Sequence, residues 1–146
     1  MGGDLLALSN QPQLASALTI VRLSLHVLGA SVWVGGQLVL GGLLPTVRGL
    51  GDDAPRRIAR AFGRLSWPAY WLLVVTGVWN YLAVEHRIAT SSWSATFAVK
   101  MAAVVLAGLG TYLHTKAKTP RARGIYAAVG TTASIAALVL GVALAG

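Results

Sequence analysis

Residues 19–45 read TIVRLSLHVLGASVWVGGQLVLGGLLP, an apolar stretch that is long enough to cross a lipid bilayer. A membrane-spanning helix needs about 20 residues of this kind. The stretch nevertheless contains Arg22 and His26, one helical turn apart. Ionisable side chains are costly in hydrocarbon and usually mark function, so the face that carries them needs an explanation. Helical spacings of three and four place further residues on that face: Gly29, Trp33 and Gln37.

The composition places the chain among integral membrane proteins. Of its 146 residues, 55% are hydrophobic and 11% are charged, and the mean hydropathy is +0.67. Soluble domains carry about 25% charged residues. The net charge of +8 does not indicate nucleic-acid binding, because the basic residues flank apolar spans. The sequence has no cysteine, which excludes disulfides, thiolate metal sites and covalent c-type haem attachment.

Four apolar spans with short connections predict a single-domain, all-α, four-helix transmembrane bundle with an up-down-up-down path. The predicted helices cover about residues 14–44, 66–84, 95–113 and 125–145, and a short basic interfacial helix covers about 54–65. The first span is longer than a bilayer requires. We therefore expect it to project beyond the membrane or to bend near Gly35-Gly36 or Gly41-Gly42, and to end at Pro45 and Gly49.

The basic residues predict the orientation of the bundle in the cytoplasmic (inner) membrane. The middle loop has Arg87 as its only basic residue, beside Glu85. The first and third loops are rich in basic residues: Arg48, Arg56, Arg57, Arg60 and Arg64 in the first, and Lys116, Lys118, Arg121 and Arg123 in the third. We therefore expect these two loops in the cytoplasm and both termini outside. The N-terminus has no basic region before its apolar stretch, so the first span is expected to remain in the mature protein.

Several polar side chains are predicted to share one depth in the outer half of the bundle. His26 and Lys100 each lie within about two turns of the outer ends of their helices, at a depth of roughly 10 Å or less. Further members of this predicted cluster are Arg22, Asn80, Glu85 and His86. His114 lies at the opposite end of the third helix and cannot share a metal ion with His26.

Each of these residues also has a simpler interpretation, which the sequence leaves open. His26 is either a ligand or proton-transfer group, or a hydrogen-bonded core histidine. Lys100 is either buried in a functional role or extended to the outer headgroups. Arg22 is typical of an interfacial anchor, His86 of a loop histidine, and Trp33 of either packing or the wall of a planar ligand site.

Three motifs, in order, resemble the copper-resistance protein D (CopD) family. They are His26 followed by Trp33-Val34-Gly35-Gly36, then Arg60–Leu65 with Leu73–Val78 (RAFGRL and LVVTGV), and then Phe97–Met101 (FAVKM). The resemblance covers about residues 23–118. It implies copper handling at the cytoplasmic membrane, and Cu(II) would then use His26 and His86. Cu(I) prefers Cys and Met ligands, of which the chain offers few.

The first-helix His, the Trp seven residues later and the third-helix Lys also resemble HemJ, a four-helix protoporphyrinogen oxidase family. This resemblance implies a b-type haem, with His26 and Lys100 as the important polar residues. A haem needs an axial ligand and an apolar slot between helices. We expect His26 as the axial ligand, with Gly29 and Trp33 beside the macrocycle. His86 or Lys100 would be a second ligand, or Lys100 and Arg22 would pair with the propionates.

The expected function is therefore b-type haem binding for electron transfer or porphyrin-linked redox chemistry, in a membrane oxidoreductase whose catalytic residues the sequence does not assign. Copper transport or copper delivery across the membrane is one alternative. A non-catalytic assembly subunit is another, because a stripe of small residues on the last span is typical of close helix contacts in a homo-oligomer or larger complex. The stripe consists of Ala133, Ala137 and Gly141.

Overall fold

The computed structural model describes residues 14–84 and 89–145, and the secondary structure within these ranges is entirely helical. The all-α prediction is thus confirmed for the described residues. These ranges contain four helices: α1, Ala17–Arg48, with a π-helical turn at Ser31–Gly35; α2, Ala54–Leu82; α3, Ser91–Lys116; and α4, Pro120–Ala143.

Three of the described helices, α1, α3 and α4, are long and apolar enough to cross a membrane. All four helices expose large apolar side chains along their length, such as Val39, Val75, Val105 and Val139, each at least half exposed. A water-soluble protein rarely exposes so much contiguous apolar surface. Together with the three long apolar helices, this surface indicates a membrane protein.

The structure corrects two predicted helix boundaries. Residues 54–84 do not form an interfacial helix followed by a separate span, because α2 is continuous through Pro68. Packing against α1 on both sides of Pro68 stabilises the continuous α2 helix, since Phe62 contacts Gly36 and Ala69 contacts Gly29. Pro45 does not end α1 but lies in its last turns, where it removes a single backbone hydrogen bond. The helix ends at Gly49, as predicted.

The first helix also contains an irregular turn near the position where a bend was expected. Ser31–Gly35 form a π-helical turn that ends immediately before Gly36. Such turns occur frequently at functional sites. Here the turn carries Trp33 and Val34, both buried, into the centre of the bundle.

The four helices associate as two hairpins. The first hairpin consists of α1 and α2 and the second of α3 and α4, and each pair packs along its length. In the second hairpin the backbones nearly touch, since a Cβ added to Gly110 would lie 2.8 Å from Gly130 Cα. The two hairpins make fewer contacts with each other, mainly between the π-helical turn and α4.

Candidate functional site

A cleft of about 140 Å³ lies between the two hairpins, and all four helices line it. We call it the interhairpin cleft. Its walls are almost entirely apolar, so the few polar groups that reach it define its chemistry. The lining side chains that carry a polar atom are His26, Trp33, Tyr70, Tyr81, Lys100 and Ser134.

His26 is held by Thr76 on the neighbouring helix. The distance from His26 Nδ1 to Thr76 Oγ1 is 2.8 Å, and Thr76 Oγ1 also lies 2.6 Å from the carbonyl oxygen of Leu72. A carbonyl oxygen only accepts, and a threonine hydroxyl has one proton to donate. Thr76 therefore donates to Leu72 and accepts from the Nδ1–H of His26. In the neutral ring this leaves the lone pair on Nε2.

Thr76 orients the His26 ring, and Gly77 lies beside it. Thr76 is the most deeply buried large side chain among the described residues, with 1% of its surface exposed. A Cβ added to Gly77 would lie 3.6 Å from Cε1 of His26, and Gly77 also lines the cleft. Nε2 of His26 makes no hydrogen bond to any described residue, so it remains free to bind a ligand.

Lys100 reaches the same cleft from α3 on the second hairpin. Residue counting predicts that His26 and Lys100 lie at a similar depth, and in the structure both side chains line one cavity. Within the described ranges, Arg57 and Asp53 form an ion pair at 3.8 Å, and no carboxylate pairs with Lys100.

Aromatic side chains close one end of the cleft. The ring centroids of Trp33 and Tyr70 are 4.8 Å apart, and Trp67 packs on both rings. The indole nitrogen of Trp33 donates to Ser134 Oγ at 3.0 Å, and the hydroxyl of Tyr70 donates to the carbonyl of Val104 at 3.0 Å. These two hydrogen bonds connect the first hairpin to the second.

A second group of aromatic side chains lies towards the other end, where α2 ends and α3 begins. The rings of Tyr81 and Phe97 stack with centroids 4.5 Å apart, and Trp93 stacks on Phe97 at 5.6 Å. Tyr81 and Phe97 both line the cleft. The cleft therefore lies between two aromatic layers, with His26 and Lys100 on opposite hairpins between them.

Other residues that the sequence assigns to the site lie elsewhere. Gly29 packs against α2, since an added Cβ would lie 3.1 Å from Leu73 Cγ and 3.2 Å from the Ala69 carbonyl oxygen. Gly77, not Gly29, is the glycine that lies beside the His26 ring. Arg22 is half-buried on α1 and is not among the described residues that line the cleft.

Of the two remaining histidines, His114 lies in the described part of the chain, and it does not line the cleft. His86 falls outside the described residues, as does Glu85. His114 Nδ1 lies 2.9 Å from the carbonyl oxygen of Arg123, at the opposite end of α3. This position agrees with the prediction that His114 lies far from His26.

The small-residue stripe on α4 faces the interior of the chain. Ala133 is buried, Ala137 lines the cleft, and a Cβ added to Gly141 would lie 3.2 Å from Lys100 Nζ. These residues therefore contribute to packing and to the cleft within one chain.

The donor set in the cleft is suited to one kind of metal group. No cluster of three or more His, Cys, Asp or Glu residues within the described ranges could hold a bare metal ion. A haem needs only one or two axial ligands from the protein, and the free Nε2 of His26 meets that requirement. The apolar walls also suit a macrocycle.

The size of the cleft limits how a macrocycle would sit. Cofactor pockets usually have volumes of about 300–1,000 Å³, whereas this partly open cleft has about 140 Å³. The cleft as formed is therefore smaller than the usual cofactor pocket, and a haem bound there would lie partly outside it.

Comparisons of the chain with protein-family models, with curated proteins and with solved structures find no match.

Residues from the three sequence motifs lie close together in the fold. Gly36, from the first motif, contacts the ring of Phe62, from the second. His26 is hydrogen-bonded to Thr76 of the LVVTGV segment, and Lys100 of the FAVKM segment lines the same cleft. Motifs that are distant in sequence thus meet around one cavity.

Proposed function

We propose that the chain is a four-helix bundle of the cytoplasmic membrane, with α2 as the fourth spanning helix. Three helices have the length and hydropathy to span a bilayer. The second half of α2 exposes Val75, Val78 and Leu82, as a lipid-facing surface would. In this arrangement the path is up-down-up-down, both termini lie outside, and the basic first and third loops lie in the cytoplasm.

We further propose that the interhairpin cleft binds a b-type haem with His26 as an axial ligand. The observation that carries this proposal is the hydrogen bond from His26 Nδ1–H to Thr76 Oγ1. Metal-binding histidines usually donate their other N–H to a fixed acceptor, which sets the tautomer and the ring orientation. Thr76 has this role here, and Nε2 is the atom left to bind iron.

The remaining residues of the cleft have supporting roles. Trp33 and Tyr70 supply flat apolar surface, and their hydrogen bonds to α4 and α3 fix the spacing of the hairpins. A haem bound there would supply one-electron transfer, so the proposed activity is electron transfer or porphyrin-linked redox chemistry. The apolar walls keep water away from the iron-binding nitrogen of His26.

The two alternative functions have weaker support. A copper site built from protein side chains needs several ligands, and the described residues of the cleft offer the imidazole of His26 and the thioether of Met101 but no thiolate or carboxylate. An assembly role for the α4 stripe needs a free surface, whereas Gly141 and Ala137 face α3 and the cleft.

An absorption spectrum combined with metal analysis tests the proposal. Protein purified from haem-replete cells is expected to show a Soret band and about one iron per chain. A preparation that contains copper and shows no Soret band would support the copper alternative instead. A preparation with neither metal, from cells rich in both, would leave the assembly alternative.

A further inference from the structure

The end of the Lys100 side chain lies against Gly141 on α4, and we call this contact the notch. A Cβ added to Gly141 would lie 3.2 Å from Lys100 Nζ and 3.6 Å from its Cε. The lysine side chain therefore passes directly over the Gly141 backbone on its way from α3. Even an alanine at this position would displace the ammonium group by a few tenths of an ångström, and a branched residue would displace it further.

The ammonium group of Lys100 lacks a counter-ion in the part of the chain that the structure describes. The acidic residues in that part are Asp52 and Asp53, which immediately precede α2. Along α2, at 1.5 Å per residue, Asp53 is roughly 35 Å from Gly77, which lies on the wall of the cleft. A charge at the edge of an apolar cleft is costly unless an opposite charge accompanies it.

We infer that the notch formed by Lys100 and Gly141 recognises an anionic group on the ligand of the interhairpin cleft. The ligand class is an apolar molecule that carries a carboxylate. The carboxylate binds Lys100 Nζ, while the apolar body lies between the aromatic layers. Gly141 is a specificity-determining residue, because it sets the position of the ammonium group. This inference rests on the proposal that the cleft is a ligand site.

Two sources could supply that carboxylate, namely a propionate of a porphyrin or the head of a free fatty acid. The test uses full-length, haem-free protein in lipid nanodiscs and measures dissociation constants for two acid–ester pairs. The probes are protoporphyrin IX with its dimethyl ester, and palmitate with methyl palmitate. We expect at least one acid to bind on the order of tenfold more tightly than its ester, as a charge-assisted hydrogen bond requires.

Matched variants assign this preference to the notch. Lys100→Met and Gly141→Val are each expected to abolish the preference, and the double variant is expected to show no further loss. Lys100→Arg retains the positive charge and should retain the preference. Gly124→Val is the control on the same helix, because nothing lies within 4 Å of its added Cβ.

The outcomes separate this inference from the haem proposal. Acid preference for palmitate without any porphyrin binding would uphold the notch and contradict the haem proposal. Equal affinities for both acids and their esters in the unaltered chain would overturn the notch, even if a Soret band forms. If Lys100→Met still binds the acid more tightly than the ester, the role of the notch would also be overturned. The same holds if the acid preference is absent in the unaltered chain and appears only in Glu85→Gln.

Discussion

His26 Nδ1 and Thr76 Oγ1 are 2.8 Å apart, although the two residues are separated by fifty positions in the sequence. This contact joins the first-helix histidine to the threonine of the LVVTGV segment. Because of this contact, the tautomer and the orientation of the imidazole depend on how α1 and α2 pack. The ligand-binding nitrogen is therefore prepared within the first hairpin, and α3 and α4 complete the cleft around it.

Replacing Thr76 with valine should weaken haem binding while it preserves the shape of the side chain. Valine fills the same volume but cannot accept the Nδ1–H of His26. Loss of such a partner typically costs 10- to 100-fold in metal affinity. We expect that range for the dissociation constant in haemin titrations of the haem-free protein. Thr76→Ser should bind nearly as well as the unaltered chain, and equal affinity in Thr76→Val would refute the role of Thr76.

Gly108→Ala should destabilise the contact between the hairpins. A Cβ at this position would lie 2.5 Å from the hydroxyl oxygen of Tyr70, which donates to the Val104 carbonyl. Overpacking of this kind costs about 1–3 kcal/mol in the free energy of unfolding. Denaturant titration followed by tryptophan fluorescence would measure it. Tyr70→Phe in the same chain should recover part of the loss, whereas Gly124→Ala should cause no loss, since nothing lies within 4 Å of its added Cβ and alanine favours a helix.

Gly110→Val tests whether the close helix contact lies within one chain. A Cβ at Gly110 would meet the backbone of Gly130 at 2.7–2.8 Å, and a backbone cannot rotate away as a side chain can. We expect a loss of about 2–3 kcal/mol in unfolding free energy. A contact between two chains at Gly110 would predict something different, namely unchanged unfolding and a smaller particle in size-exclusion chromatography.

The absence of native cysteine makes the proposed orientation easy to test with single cysteine substitutions. The two substitutions are Ser91→Cys, at the start of α3, and Asp52→Cys, just before α2. Both positions are exposed. A membrane-impermeant maleimide added to intact cells should label Ser91→Cys and leave Asp52→Cys unlabelled until the membrane is opened. The reverse pattern would invert the topology, and labelling of both positions would show that they lie on the same side.

Periodicity was sufficient to predict that the chain is helical, and the described residues confirm this prediction. Of the two residues expected to mark the end of α1, Gly49 does so and Pro45 does not. Counting from the helix ends also placed His26 and Lys100 at one level, and both line the interhairpin cleft.

The details of packing could not be predicted in this way. Spacing assigns a residue to a helix face but does not identify the neighbour that the face contacts. Gly29 shares a face with His26, yet it packs against Leu73 and Ala69 of α2, and the glycine beside the imidazole is Gly77 on another helix. Thr76 gave no signal of its own beyond the LVVTGV motif, since a threonine in an apolar helix is common. Continuity of α2 through Pro68 likewise depends on contacts with α1.

The most direct test of the central claim is chemical replacement of the His26 side chain. His26→Gly should eliminate the Soret band of protein purified from haem-replete cells, and imidazole added with haemin should restore it, because the free ring can occupy the vacated position. His114→Gly, which alters a histidine at the far end of α3, should retain the band without imidazole. An unchanged Soret band in His26→Gly would contradict the assignment of His26 as the axial ligand.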